Sequence, residues 1–255
     1  MTDHVRVERN GGVLAITLAR PERRNAITTA MYAALAEALQ AAAGDPGIRV
    51  VTFTGEGRDF AAGNDLADFL DASQREPADI PVWRFLRALV ACETPIVAAV
   101  QGNCVGIGTT MLLHCDLVVA EEGARFSLPF VDLGLVPEAA SSMLMPRLAG
   151  RRRAARYLLL AEPFGVDEAK DIGLVSHNAA PGRLESRLGE VVQALLAKPA
   201  EALRQTQGLL RRATRDEIVE RMRVESELFA ERLQSAETKE AIAAFFEKRP
   251  PRFDG

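Results

Sequence analysis

An alternation that stops partway along the chain constrains the fold most. Val5-Arg6-Val7-Glu8-Arg9 and Val13-Leu14-Ala15-Ile16-Thr17-Leu18 flank Asn10-Gly11-Gly12, which predicts a hairpin. Thr28 or Thr29 can cap an Ala/Leu-rich helix that runs to Ala43 and stops at Gly44. Val50-Val51-Thr52-Phe53-Thr54, Ile96-Val97-Ala98-Ala99-Val100 and Leu117-Val118-Val119-Ala120 are short, apolar and rich in β-branched residues, as buried strands are. A turn and a helix are expected after each, which is the texture of an α/β core. Beyond about Pro181 the strand signal vanishes. Residues 184–197, 200–213, 217–233 and 238–246 carry helical spacing with mixed apolar and Arg/Glu faces. The change near Pro181, or the break at Pro199, separates an α/β core (residues 1–197) from a helical region (198–255) whose helices pack on the core or on another subunit.

Composition excludes several classes. At 255 residues with 48% hydrophobic and 26% charged residues, the chain can bury a core without disulfides or metals. A net charge of −4 argues against a nucleic-acid-coating surface. Charges interrupt every apolar run well short of a membrane span. The first residues, with His4 and Arg6, hold no apolar signal core, so a cytoplasmic protein is expected. Cys92, Cys104 and Cys115 include no Cys-x-x-Cys pair and predict neither a disulfide framework nor a zinc site.

Common catalytic signatures fail too. Gly106-Ile107-Gly108 runs on into Thr109-Thr110-Met111, so the third glycine of a dinucleotide fingerprint is missing. There is no P-loop, no His-Glu-x-x-His and no Gly-x-Ser-x-Gly. His114, beside Met111-Leu112-Leu113, reads as a satisfied core histidine, and Arg151-Arg152-Arg153 as a solvated helix face. Two loops after buried strands are more informative: Phe60-Ala61-Ala62-Gly63-Asn64-Asp65-Leu66 and Gly102-Asn103-Cys104-Val105-Gly106-Ile107-Gly108. Small residues let a ligand approach the main chain, and a helix start leaves N–H groups without partners. Two such amides aimed at one point make an oxyanion hole.

These loops, with Arg20-Pro21-Glu22-Arg23-Arg24-Asn25-Ala26-Ile27 before them, resemble the crotonase (enoyl-CoA hydratase/isomerase) superfamily. So do Cys115-Asp116-Leu117, Leu133-Gly134-Leu135-Val136-Pro137 and Phe246-Glu247-Lys248-Arg249-Pro250, and the resemblance covers essentially the whole chain. It implies a spiral of ββα units followed by a C-terminal helical trimerisation region, assembled as a homotrimer or a dimer of trimers. It implies an acyl-CoA thioester substrate whose oxygen is held by the N–H groups of Asn64 and Ile107, with no metal and no cofactor besides the CoA the substrate carries. By the same resemblance, Arg24 with Arg23 lies near the CoA nucleotide, Ala62 and Leu66 flank its adenine, and Lys248 reaches its phosphates, from a neighbouring subunit if need be. Ala26, Asp65 and Phe130 complete the expected substrate-binding set.

The resemblance leaves the reaction to the acid/base groups. The two glutamates of a typical hydratase in this family would fall on Thr110 and Phe130, neither of which transfers a proton at neutral pH. Pro137-Glu138 instead resembles the base of the peroxisomal-type Δ3,Δ2-enoyl-CoA isomerases, as do Gly63-Asn64-Asp65-Leu66, Val105-Gly106-Ile107 and Ser141-Ser142. Apolar neighbours from Phe126 to Phe130 would raise the Glu138 pKa, and a helix starting in Ala139-Ala140-Ser141-Ser142 would oppose that. The expectation is an isomerase of fatty-acid metabolism with Glu138 as its catalytic group. The alternatives are a hydratase using Glu138 or Asp132 with bound water, and a non-catalytic acyl-CoA-binding protein.

Overall fold

The computed structural model of the chain describes residues 2–68 and 81–253. β1 (Val5–Asn10) and β2 (Val13–Leu18) form the hairpin, closed by Gly11 and Gly12, both at positive φ as a two-residue turn requires. The Thr28 hydroxyl accepts from the Met31 amide and starts α1 (Thr29–Ala43), which buries Met31, Leu35 and Leu39 at helical spacing. β3 (Val50–Gly55), α2 (Pro81–Ala91) and β4 (Ile96–Val100) follow.

The second sequence loop is not all loop. Asn103–Val105 forms β5, and Ile107–Thr110 forms a short α3 that tightens into a 3₁₀ turn over Met111–His114. β6 (Leu117–Glu121) is followed by β7 (Arg125–Ser127) rather than by a helix, a departure from the expected alternation. The chain continues through α4 (Ser141–Ala149), α5 (Arg151–Leu159), β8 (Phe164–Gly165), α6 (Val166–Asp171) and β9 (His177–Ala179). After β9 come α7 (Leu184–Leu196), α8 (Ala200–Arg212), α9 (Arg215–Leu233) and α10 (Ala236–Glu247).

The main sheet runs β1-β2-β3-β4-β6-β9, parallel except for the hairpin, and β5-β7-β8 make a smaller sheet. Strand alternation feeds two cores. Val51, Phe53, Ile96 and Ala98 face α1 and α2, while Val50, Val97 and Val119 face Val191 and Val192 of α7. Both faces of the sheet are covered, which is why its strands read as continuous apolar runs. Asp116 takes the Ile96 amide at 2.8 Å and the Arg211 guanidinium at 3.0 Å, fastening α8 to the sheet. No helix among the described residues is long and apolar enough to cross a membrane.

Candidate active site

Three segments distant in sequence pair edge to edge. Ile27 donates to the Gly63 carbonyl at 2.8 Å, and Asp65 returns a bond to Ile27 at 2.9 Å. Ala61 bonds Asn103 at 3.2 Å, and Val105 bonds Ala61 at 2.9 Å. Buried side chains lock this arrangement. Asn25 accepts the Arg20 amide at 2.9 Å and donates to the Asp59 and Glu56 carbonyls, while Asp59 accepts both the backbone amide and the side-chain amide of Asn103.

The two loops meet at glycines. Gly63 (φ +92°) and Gly106 (φ +53°) both occupy the left-handed region, and a Cβ on Gly106 would lie 4.0 Å from the Gly63 Cα. Each glycine is followed by one of the expected oxyanion donors, Asn64 and Ile107. Among the described residues neither of those amides has a protein acceptor, and both residues line one large cleft. The Asn64 side chain is held separately, its Oδ1 accepting from the Tyr32 hydroxyl at 2.5 Å. Burial first, then the charges of Glu138 and Asp68, keep that phenol well above its ordinary pKa, so it stays a donor.

Glu138 is buried, and its Oε1 accepts from the Thr110 hydroxyl. Burial pushes its pKa up to about 8; the Thr110 bond opposes the shift and the Glu225 carboxylate adds to it. The helix after Glu138 starts within the expected stretch, after a left-handed turn. Ala139 (φ 56°) and Ala140 (φ 58°) are both left-handed, and α4 begins at Ser141. The start of that helix is taken by Glu225 of α9, which accepts the Ala140 amide at 2.6 Å and the Ser142 amide at 2.9 Å. The opposing effect of the helix end thus falls on Glu225, and burial dominates at Glu138. His114 is the core histidine expected: burial lowers its pKa to about 4, and its neutral ring donates to the Ala139 carbonyl at 2.8 Å.

The cleft encloses about 990 Å³, with Ala26, Ala62, Asp65, Leu66, Phe130 and Asp132 on its walls. A cavity of about 90 Å³, walled by Tyr32, Trp83, Leu86, Glu138 and Phe229, shares Asn64 with it. The cationic lining differs from expectation. Arg20, Arg23 and Arg249 face the cleft, whereas Arg24 and Lys248 do not. Arg24 ends a 3₁₀ turn in the left-handed region, its side chain 69% exposed and 3.9 Å from Asp59. Lys248 is the exposed left-handed residue that ends α10, and the turn it makes sends Arg249 back onto Glu240 at the cleft wall. Sequence reasoning missed Tyr32, Thr110 as a partner of Glu138, and Glu225. Tyr32 looked like one more core residue of α1, and Glu225 like one more charge on an amphipathic helix.

An α/β fold with C-terminal helices, two touching glycine loops on a large cleft and a buried carboxylate in the small cavity that adjoins it define an acyl-CoA enzyme of one family. The enoyl-CoA hydratase/isomerase family model matches residues 8–255. A probable enoyl-CoA hydratase of Rhodobacter capsulatus is 33% identical over 98% of both chains. The 1,2-epoxyphenylacetyl-CoA isomerase of Escherichia coli is 34% identical over 96% of this chain and 95% of that one. The crystal structure of an enoyl-CoA hydratase/isomerase from Pseudoalteromonas atlantica superimposes with a TM-score of 0.93 at 42% identity, covering 98% of this chain and all of that one. The chain belongs to the enoyl-CoA hydratase/isomerase family, the crotonase superfamily, and has the crotonase fold.

Proposed function

We propose that the chain is a Δ3,Δ2-enoyl-CoA isomerase of the branch that the peroxisomal-type enzymes represent. One observation carries this reading: Glu138 is the carboxylate buried on the cavity wall, and Thr110 stands where a hydratase would place a second acid. A 3-enoyl-CoA sets its thioester oxygen between the Asn64 and Ile107 amides. Glu138, as carboxylate, takes a proton from C2. The electron pair passes through C2 and the carbonyl to give a dienolate whose charge rests on the oxygen; each amide of such a hole is worth about 3 kcal/mol to the transition state. The protonated Glu138 then returns the proton at C4, the double bond settles between C2 and C3, and the carboxylate is regenerated.

A pKa of about 8 suits this shuttle, because a group that both removes and returns a proton works best near the ambient pH. The reaction needs no cofactor beyond the CoA on the substrate. Assembly as a homotrimer or a dimer of trimers belongs to the same reading and accords with the exposed Leu159, Leu160, Leu209 and Leu210; sedimentation of the pure protein tests it. Hydratase activity is the second reading. It is favoured by Asp132 on the cleft wall and by the hydratase names among the relatives. Assays with 3-hexenoyl-CoA and with crotonyl-CoA separate the two. Conversion of the first to the conjugated ester, with negligible loss of conjugated absorbance from the second, is the expected result. Rapid hydration of crotonyl-CoA reverses the ranking, and inertness toward both leaves an acyl-CoA-binding protein.

A further inference from the structure

Glu138 sits immediately before a strained turn. Two successive alanines in the left-handed region are costly for residues with a Cβ, and such a pair persists only where its surroundings hold it. Two buried side chains hold this one from opposite sides. His114, from the turn after α3, takes the Ala139 carbonyl, and Glu225, from α9, takes the Ala140 and Ser142 amides with one oxygen each. Burial raises the Glu225 pKa, and the bonds from Ser142 and Ala140 oppose that shift by favouring the carboxylate, the form in which both oxygens accept. Glu225 is buried, although α9 is otherwise largely polar, and the same helix supplies Ser226, Phe229, Ala230 and Leu233 to the cavity that Glu138 lines.

We infer that Glu225 is the positioning residue of this site: it fixes the turn that aims Glu138, and it joins that turn to the helix forming the acyl wall. The inference rests on the reading of Glu138 as the base. Glu225 lies outside the cavity lining, so it acts through the backbone of Ala140 and Ser142. The ionisable groups around the pair are Arg221 on α9 itself, His114 behind the turn, and Tyr32 and Asp68 across the cavity. Of these, His114 and Tyr32 are neutral at working pH. Among the carboxylates it is the charge of Glu225 that acts on Glu138, and its removal makes Glu138 easier to ionise.

Glu225→Gln keeps the size but presents an amide nitrogen to one of the two N–H groups. Because a misplacement of about 1 Å costs about 10²-fold in rate, kcat for 3-hexenoyl-CoA is expected to fall by up to that factor with KM nearly unchanged. The Glu138 carboxyl, followed by ¹³C NMR and assigned by its loss in Glu138→Gln, is expected to titrate at lower pH than in the parent protein. Ala140→Gly, added to the Glu225→Gln protein, relieves the strained conformation. It is expected to recover thermal stability without recovering kcat. An unchanged Glu138 titration, an unchanged kcat, or a kcat that returns together with stability overturns the inference. If Glu138→Gln stays active, the base reading falls instead, and the titration, which needs no turnover, still decides Glu225.

Discussion

The interior around Glu138 and the mouth of the cleft are built on opposite principles. In the interior a carboxylate, an imidazole and a phenol are all buried, each pushed by desolvation toward its neutral form. At the mouth, Arg249 pairs with Glu240 in a partly exposed contact, and Phe245, Phe246 and Phe253 stay half exposed. Low dielectric makes each polar contact inside decisive, whereas screening makes each charge at the mouth worth little. Substitutions inside should therefore act on kcat and on pH dependence, and those at the mouth on KM alone.

Glu138→Gln should show the largest effect: isomerase turnover should fall by about a thousandfold or more with folding intact. It also carries a signature in stability. The folded pKa of Glu138 lies above its unfolded value, 4.5 rising to about 8, so the folded state holds the proton more tightly. The group therefore destabilises the fold progressively from pH 4.5 to about 8, by a few kcal/mol at about 1.4 kcal/mol per unit. Glu138→Gln removes that loss, so its melting temperature should exceed the parent's at pH 9 and match it near pH 4. A variant that loses activity and is also less stable at pH 9 would place Glu138 in a stabilising contact and break the contrast.

Thr110→Val should come next. It deletes the donor to Glu138 at nearly constant volume, and a hydrogen bond to a charged group is worth roughly 1.5–3 kcal/mol, so kcat at pH 7 should drop about tenfold. The pH–rate limb should move to higher pH, opposite to the shift expected for Glu225→Gln. Two interior variants moving one limb in opposite directions would tie both side chains to the same proton. A Thr110→Val limb that stays in place would detach Thr110 from the chemistry.

The sequence was most legible where local rules act. The Asn10-Gly11-Gly12 hairpin, the Thr28 cap and the four C-terminal helices came out within a few residues of their predicted bounds. β5, β7, β8 and β9 were missed because strands of two or three residues carry no period. In the site, Glu138 was singled out by the resemblance of Pro137-Glu138 to the isomerases of the family, and its environment was not legible at all. Thr110, Tyr32 and Glu225 reach the site from α3, α1 and α9, and their meeting is a product of tertiary packing that no spacing announces.

Between interior and mouth lies the Arg20–Asp65 pair, at 2.7 Å and mostly buried, which ties the first loop to the segment before it. Burial works against the Asp65 charge, but bonds from Arg20 and from the Asp68 and Ala67 amides outweigh it, and the pKa is lowered. That contribution to stability is present above the unfolded value of 3.8 and is lost as pH falls through the folded one. Arg20→Ala should cost about 1–3 kcal/mol at pH 7, measured by urea denaturation, and raise KM several-fold as the loop loosens. The stability difference from the parent should shrink in acid to what the Arg20 bond to the Ala26 carbonyl supplies. A difference that persists unchanged at pH 2 would show that packing, not the ion pair, is what Arg20 supplies.

The smallest effects sharpen the mouth itself. Arg23 lines the cleft, while its neighbour Arg24 points past it, 69% exposed, toward Asp59. Both side chains carry the same charge at nearly the same place in sequence, so the pair isolates direction from net charge. An exposed contact to a CoA phosphate is worth about 0.2–1 kcal/mol, which predicts a KM for CoA esters raised up to about fivefold in Arg23→Ala with kcat unchanged. Arg24→Ala should leave KM within error. Raising the ionic strength should weaken the Arg23 effect only in part, since a direct contact lies well inside the Debye length of about 10 Å at 0.1 M salt, whereas a long-range charge effect would be erased. If Arg24→Ala raises KM as much as Arg23→Ala does, long-range charge rather than contact governs the mouth, and the contrast with an interior of decisive contacts and a rim of weak, screened ones fails at the rim.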